Sequence, residues 1–395
     1  MSQGAAPFTA GASATGYLYQ CRYALRLLLE RLNLNDMGAE LSVEKFDDIS
    51  FDHNNAPVEM IQTKHRHNAA PDLTDSSPDL WKTIRVWAEG LKAGRFNLPQ
   101  TSLVIVTTAT CAAGSAAEYL RHGNGRDAKK ALKLIIAARK GMAGATLEPA
   151  RKAFAALNRA EQLLLVNAIT VVDASPDINA TTSAIRTALG RPVHSDHMAA
   201  FIERLEGWWL GQLIVRLSGA VDAPVTATQL DAHIDELRET FRLDALPIDY
   251  ASGPPPDVGF PIDDSSRFVR QLALIGLLRQ RLTQAITDYQ RAYAQRSRWL
   301  RDNLLMAKQL DAYDDQLVGD WLWRFQTMEQ DTDGVTETTA LERTGRSMYE
   351  ALLATPRTIR TNCTEAYVGR GSYHCLADLP RPRVGWHRDY LTRIT

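Results

Sequence analysis

Between Tyr17 and Thr110 the hydrophobic period switches from helical to extended and back twice, and that order of elements constrains the fold more than any other feature. YLYQCRYALRLLLERL (17–32) carries apolar residues at helical spacing, with Ser13 or Thr15 as its cap. ELSVEKFDDISFD and VEMIQTKH come next, rich in Val, Ile and Phe, and they flank the turn-like HNNAP. After a loop rich in Pro, Asp and Ser (68–79), LWKTIRVWAEGLKAG is helical and TSLVIVTTAT is a short apolar strand suited to a buried sheet position. Helix, two or three strands, helix, strand predicts a small α/β sandwich.

Residues 111–245 change character and read mostly as helices, among them AKKALKLIIAARKG, EPARKAFAALNRAEQLLLVNAI and HMAAFIERLEGWWLGQLIVRLSG. Four prolines fall between Ser252 and Asp264, the best candidate for a linker. Beyond it the chain from Arg267 to Phe325, beginning RFVRQLALIGLLRQRLTQAITDYQRAYAQRSRWL, reads as a long helical region. The last stretch, EAYVGRGSYHCLADLPRPRVGWHRDY, reads as loop-rich and aromatic with short strand-like pieces. The expected organisation is an α/β core over 1–110, a helical extension over 111–250, a linker over 251–265 and a mainly helical C-terminal domain over 266–395.

Composition narrows the function classes. The 395 residues are 45% hydrophobic and 23% charged, ordinary for a globular chain and incompatible with wholesale disorder. Net charge is −1, so any surface for nucleic acid has to be local. The four cysteines lie far apart without a C-x-x-C pair, which fits a reduced compartment. With no signal-peptide pattern and no apolar run long enough to span a bilayer, the sequence is expected to be cytoplasmic and free of membrane contact.

The segment from Glu44 to Lys64 carries the chemistry. Strand periodicity places Gln62 and Lys64 on one face, and it can place Glu44 and Asp48 on one face of the preceding strand. If the two strands pair, two carboxylates, an amide oxygen and an ammonium converge. Hard oxygen donors suit Mg2+, which takes few protein ligands and keeps waters for a substrate phosphate. A lysine beside it can orient or deprotonate a water and offset charge on the phosphate. Such a set suits phosphodiester hydrolysis.

GYLYQCRYALRLLLE, VEKFDDISF and VEMIQTKHR together resemble the nuclease domain of the PD-(D/E)XK superfamily in its Mrr-like branch, most closely the anti-phage effector nucleases of CBASS and Lamassu-type systems. The resemblance implies a mixed sheet with flanking helices. It assigns Tyr19-Gln20 to the first helix, Asp48 to the metal, Gln62 and Lys64 to the Q-x-K strand, and Glu44 to the upstream acidic position. Whether Asp47 or Asp48 points inward stays open. Gln62 stands where the superfamily name has a carboxylate, a feature of the Mrr-like branch. Farther on, DYQRAYAQRSRWLRDNLL, LDAYDDQLVGDW and RGSYHCLAD…VGWHRDY resemble the C-terminal domain shared by three-component ABC defence systems, over roughly 266–395.

These resemblances imply a Mg2+-dependent endonuclease, with Mn2+ as a possible substitute, acting on double-stranded DNA as the effector of an anti-phage complex. Its implied partners are an SMC-like ATPase and a third small subunit, with self-association on activation. The competing reading is a non-catalytic adaptor between ATPase and DNA. No P-loop is present, so any ATPase is another chain. Weaker candidates for DNA contact are Gln20, His65 and the stretch 121–152, where nine basic and two acidic residues give a net of +7. Arg126, Lys129, Lys130 and Lys133 are its nearest representatives. His67 joins His65 as a phosphate-side polar group, and Trp208-Trp209 read as core. Tyr289, Tyr293 and Arg296 read as a helix docking face, and His374 and His387 as structural hydrogen-bonding residues.

Overall fold

The computed structural model describes residues 10–64, 72–141, 147–254 and 266–394. The chain divides into two compact units, Met1–Pro192 with Ile202–Ile234, and Val193–Phe201 with Asp235–Thr395.

The first unit begins with α1 (Ala10–Asn33), which starts upstream of Ser13 and Thr15, so neither residue caps it. Next come three strands, β1 (Glu40–Val43), β2 (Ile49–His53) and β3 (Ala56–Lys64), then α2 (Pro78–Lys92) and β4 (Ser102–Thr107). The expected order of helix, strands, helix and strand is therefore present. The stretch expected to be wholly helical contains α3 (Ala116–Tyr119), α4 (Ala128–Gly141), α5 (Glu148–Ala155) and α6 (Arg159–Ala168), but also β5 (Ile169–Val172). After α7 (Ile178–Leu189) and α8 (Met198–Leu217), β6 (Val225–Thr226) leads into α9 (Ala227–Thr240). Both added strands are too short to impose a visible alternation on the sequence, and β5 comes directly after a helix. Its β-branched run, Ile169 to Val172, is satisfied by pairing along β4.

These strands form one mixed sheet in the order β5-β4-β3-β2-β1-β6. β3, β4 and β5 run parallel, whereas β3, β2, β1 and β6 are joined by antiparallel ladders. On one face Met60, Leu103 and Ile105 pack under Trp81, Ile84 and Trp87 of α2, with Phe154 of α5 beside them. Period two puts Gln62 and Lys64 on the same face as Met60. The Q-x-K residues thus sit at the C-terminal end of a central strand, flanked by β2 and β4.

The second unit is helical. It contains α10 (Arg267–Leu274), α11 (Arg279–Arg301), α12 (Ala307–Asp331), α13 (Thr338–Ala354), α14 (Ala366–Asp378) and α15 (Tyr390–Arg393). Phe268, Trp299, Tyr313, Tyr367, Tyr373 and Trp386 lie at its core. Phe241, Leu246 and Ile248 already pack against that core, so the unit starts well before the prolines. Residues 255–265 of the expected linker lie outside the described residues. Where loops and strand pieces were expected, Ala366–Asp378 is a buried helix. Its glycines explain the difference: a Cβ on Gly371 would lie 2.1 Å from the Asp288 carbonyl oxygen of α11. They are contact residues for a close helix crossing, not turn formers.

Candidate active site

The first half of the site is a hairpin loop. The β1–β2 ladder ends at Val43 and Ile49, and the Glu44 amide donates to the Asp48 carbonyl at 3.2 Å. Glu44 therefore does not continue the strand, and the expectation that Glu44 and Asp48 share a strand face is corrected. Glu44 has φ +58°, a left-handed conformation that side chains resist and that surrounding contacts must hold. Two anchors supply that hold. Phe46 packs against the α2-side core, and the Trp87 indole N–H of α2 donates to Asp47 Oδ2.

The two adjacent aspartates part company here. Asp47 Oδ1 accepts the Asp48 amide at 2.9 Å, so both Asp47 oxygens hold the loop. Asp48 Oδ2 accepts from the Thr63 amide at 2.8 Å and from Thr63 Oγ1 at 3.0 Å. The physical reason lies in the register: β2 begins at Ile49 opposite Ile61, and just before it the Asp48 carboxylate takes a donor of β3 in place of a strand carbonyl. Asp48 Oδ1 takes no hydrogen bond among the described residues.

The second half is the end of β3. Gln62 is buried and Lys64 half-buried. Among the described residues the Lys64 ammonium has no ion pair. Partial desolvation pushes the Glu44 carboxyl up, Asp48 and Asp47 repel it further, and Lys64 opposes them. Burial pushes Asp47 up to about 6, against the hydrogen bonds from Trp87 and the Asp48 amide and the pull of Lys64. Three carboxylates and one ammonium therefore share an electrostatic neighbourhood. From α1, Tyr17 and Cys21 stand one helical turn apart, burial pushes both of their pKa values up, and both feel the Glu44 charge. Neither stands out as a site residue in the sequence, although their i, i+4 spacing is visible there. Gln20 is half-buried beside the fully buried Tyr19 and makes no side-chain hydrogen bond among the described residues.

Among the described residues no group of three or more His, Cys, Asp or Glu is placed to hold a metal ion. Two carboxylates and an amide oxygen do not make an all-protein cage of the zinc or calcium kind. Mg2+ accepts a sparser oxygen set than those cages, and Asp48 Oδ1 is a hard oxygen donor that takes no hydrogen bond among the described residues.

The other candidates separate by what their donors already hold. Arg126 donates to the carbonyls of Leu120, Asn167 and Ile169 at 2.7–2.9 Å, so it fastens backbone rather than facing solvent. Lys130 is exposed, but its ammonium donates to the Tyr119 hydroxyl at 2.6 Å and lies over that ring. Lys129 and Lys133 are exposed on α4, opposite the buried Ala131, Leu132 and Ile135. His65 and His67 lie outside the described residues. Trp209 is buried with its indole N–H on the Cys21 carbonyl, while Trp208 stacks on His233.

In the second unit, Tyr289 stacks on Phe268 and on Tyr293 and donates to Asp378, and Arg296 pairs with Asp314. His387 accepts the Asp389 amide. His374 is packed among aromatic rings and its Nδ1 has no hydrogen bond, so it is a packing residue rather than the hydrogen-bonding one expected.

Residues 268–394, nearly the whole of this helical unit's main segment, match C-terminal domain 7 of the ABC-three component (ABC-3C) systems. That match supports a component of a multi-component anti-phage defence system, with partner subunits. No curated protein matches the chain. Among the described residues no helix is long and apolar enough to cross a membrane.

Proposed function

We propose that the first unit is a metal-dependent DNA endonuclease of the PD-(D/E)XK type, the Lamassu-like effector of a defence complex that also contains an SMC-like ATPase. The observation that carries this reading is the meeting of the Glu44–Asp48 loop with the end of β3, where, among the described residues, Asp48 keeps one oxygen without a hydrogen bond and Lys64 has no ion pair. Asp48, Glu44 and the Gln62 amide would hold Mg2+, which supplies charge neutralisation on the phosphate and a more acidic water. Lys64 orients the attacking water and offsets negative charge as it accumulates on the phosphate oxygens. Thr63 fixes the Asp48 rotamer with two donors, and Asp47 with Trp87 fixes the loop that carries it.

One observation favours a non-catalytic adaptor instead, namely the lack of a three-member acidic or histidine cluster among the described residues. Plasmid cleavage decides between the two. The full chain is expected to nick or linearise plasmid with Mg2+ and to stop in EDTA. Lys64→Ala should remove activity while shifting stability by no more than about 0.5 kcal/mol, because its ammonium has no ion pair among the described residues. Asp48→Asn keeps an acceptor for Thr63 yet should also be inactive. No cleavage by the parent chain favours the adaptor, whereas metal-independent cleavage or full activity in either variant removes the metal or these residues from the mechanism.

A further inference from the structure

A cavity of about 240 Å3 opens between α11, α13 and α14 in the second unit. One face of α11 contributes Arg281, Ala285 and Asp288, at i, i+4 and i+7, and α14 contributes Arg370 and His374 one turn apart. Tyr349 and Leu353 close it from α13. Gly371, with no side chain, lets α14 approach α11 at Asp288 and so brings these polar residues together. Three of them are buried yet keep a polar atom without a hydrogen bond among the described residues: Asp288 (4% exposed) at Oδ1, Tyr349 (7%) at its hydroxyl and His374 (1%) at Nδ1. Buried polar atoms are nearly always partnered, so a cavity that collects three open ones calls for an occupant. Water would leave the apolar part of the wall, Ala285, Leu353 and the Tyr349 ring, unused.

The ion pair in the wall indicates the chemistry of that occupant. Arg370 Nε donates to Asp288 Oδ2 at 2.6 Å, and this single bond leaves Asp288 Oδ1 and both Arg370 Nη groups without a hydrogen bond among the described residues. An open acceptor thus stands beside open donors. A bare anion would meet the Asp288 carboxylate and a bare cation the Arg370 guanidinium, and both encounters are costly where water is partly excluded. An uncharged amide edge, with an N–H beside a C=O, satisfies both partners. Burial pushes the Tyr349 pKa up, so its hydroxyl stays protonated and can donate as well.

We propose that this cavity binds a small uncharged molecule through an amide edge, of a carboxamide or a nucleobase, with its N–H on Asp288 Oδ1 and its carbonyl on Arg370. The body of the molecule lies against Ala285, Leu353 and the Tyr349 ring. The site belongs to the second unit and does not rest on the chemistry proposed for the first.

Benzamide, benzoate and benzamidine share one ring and differ in charge, and uracil carries the same edge within a nucleobase. In saturation-transfer NMR titrations of the full-length chain, benzamide or uracil is expected to bind saturably, at least about tenfold tighter than benzoate and benzamidine. The tighter of the two tells a carboxamide from a nucleobase. Arg370→Lys keeps a charge beside Asp288 but loses the guanidinium fork, and should weaken that binding about tenfold. Ala354→Trp changes an exposed position on the cavity wall, leaves Asp288 and Arg370 in place, and should block entry. No saturable binding of either amide would overturn the proposal. So would equal binding of the charged and uncharged rings, or an Ala354→Trp variant that binds as the parent does.

Discussion

His374 lies among Phe268, Tyr349 and Trp386 with 1% of its surface exposed, and burial pulls its pKa down to about 3. The folded state therefore holds it neutral, while the unfolded chain takes up the proton near pH 6.5. Its contribution to stability is complete above about pH 6.5 and is lost as pH falls toward 3. At about 1.4 kcal/mol per pH unit, this group alone removes about 2 kcal/mol between pH 7 and pH 5. His374→Phe keeps an aromatic ring in the same wall and should lose that component of the acid sensitivity. Urea unfolding at the two pH values measures it, and equal losses in parent and variant would assign the sensitivity elsewhere. Arg126 shows the same principle from the side of hydrogen bonding: a cation that reads as a phosphate contact is spent on three carbonyls.

At the scale of elements, α4 and the α11–α14 pair make opposite demands. Helix α4 buries Ala131, Leu132 and Ile135 and leaves Lys129 and Lys133 to solvent. If that face tracks a DNA backbone, Lys129→Glu with Lys133→Glu should reduce the salt-dependence slope of DNA binding by about 2. Arg126→Ala should instead leave the slope unchanged and cost about 1–3 kcal/mol, because the Leu120, Asn167 and Ile169 carbonyls lose a charged donor. Titrations at several salt concentrations, paired with melting curves, separate the two. Between α11 and α14 there is no slack. A Cβ on Gly371 would meet the Asp288 carbonyl oxygen at 2.1 Å and the Ala292 Cβ at 2.5 Å. Gly371→Ala is therefore expected to destabilise the second unit by about 1–3 kcal/mol, visible as a lowered midpoint in chemical unfolding.

For the whole molecule, the proposed nuclease has one active site per chain, and cutting both strands of a duplex takes two. Symmetric self-association is the commonest way to supply the second. Specific activity for double-strand breaks should then rise with protein concentration, in step with mass measured by light scattering on DNA. A chain that stays monomeric and linearises plasmid at constant specific activity would exclude this arrangement.

The sequence alone determined the order helix, two or three strands, helix, strand, because helical and extended periods alternate there, but it left the break between β1 and β2 unread. It also placed Gln62 and Lys64 on one strand face, since alternation is a local property of any strand. Tertiary structure decided what no local period encodes. Strands β5 and β6 are held by pairing along the sheet, so their few residues left no pattern of their own. Ala366–Asp378 became a helix because its glycines admit α11 at backbone distance. Between two adjacent aspartates, only the fold could choose. Trp87 lies forty positions from Asp47 and Thr63 fifteen from Asp48, and those distant donors fix which carboxylate holds the loop and which keeps an oxygen without a hydrogen bond among the described residues.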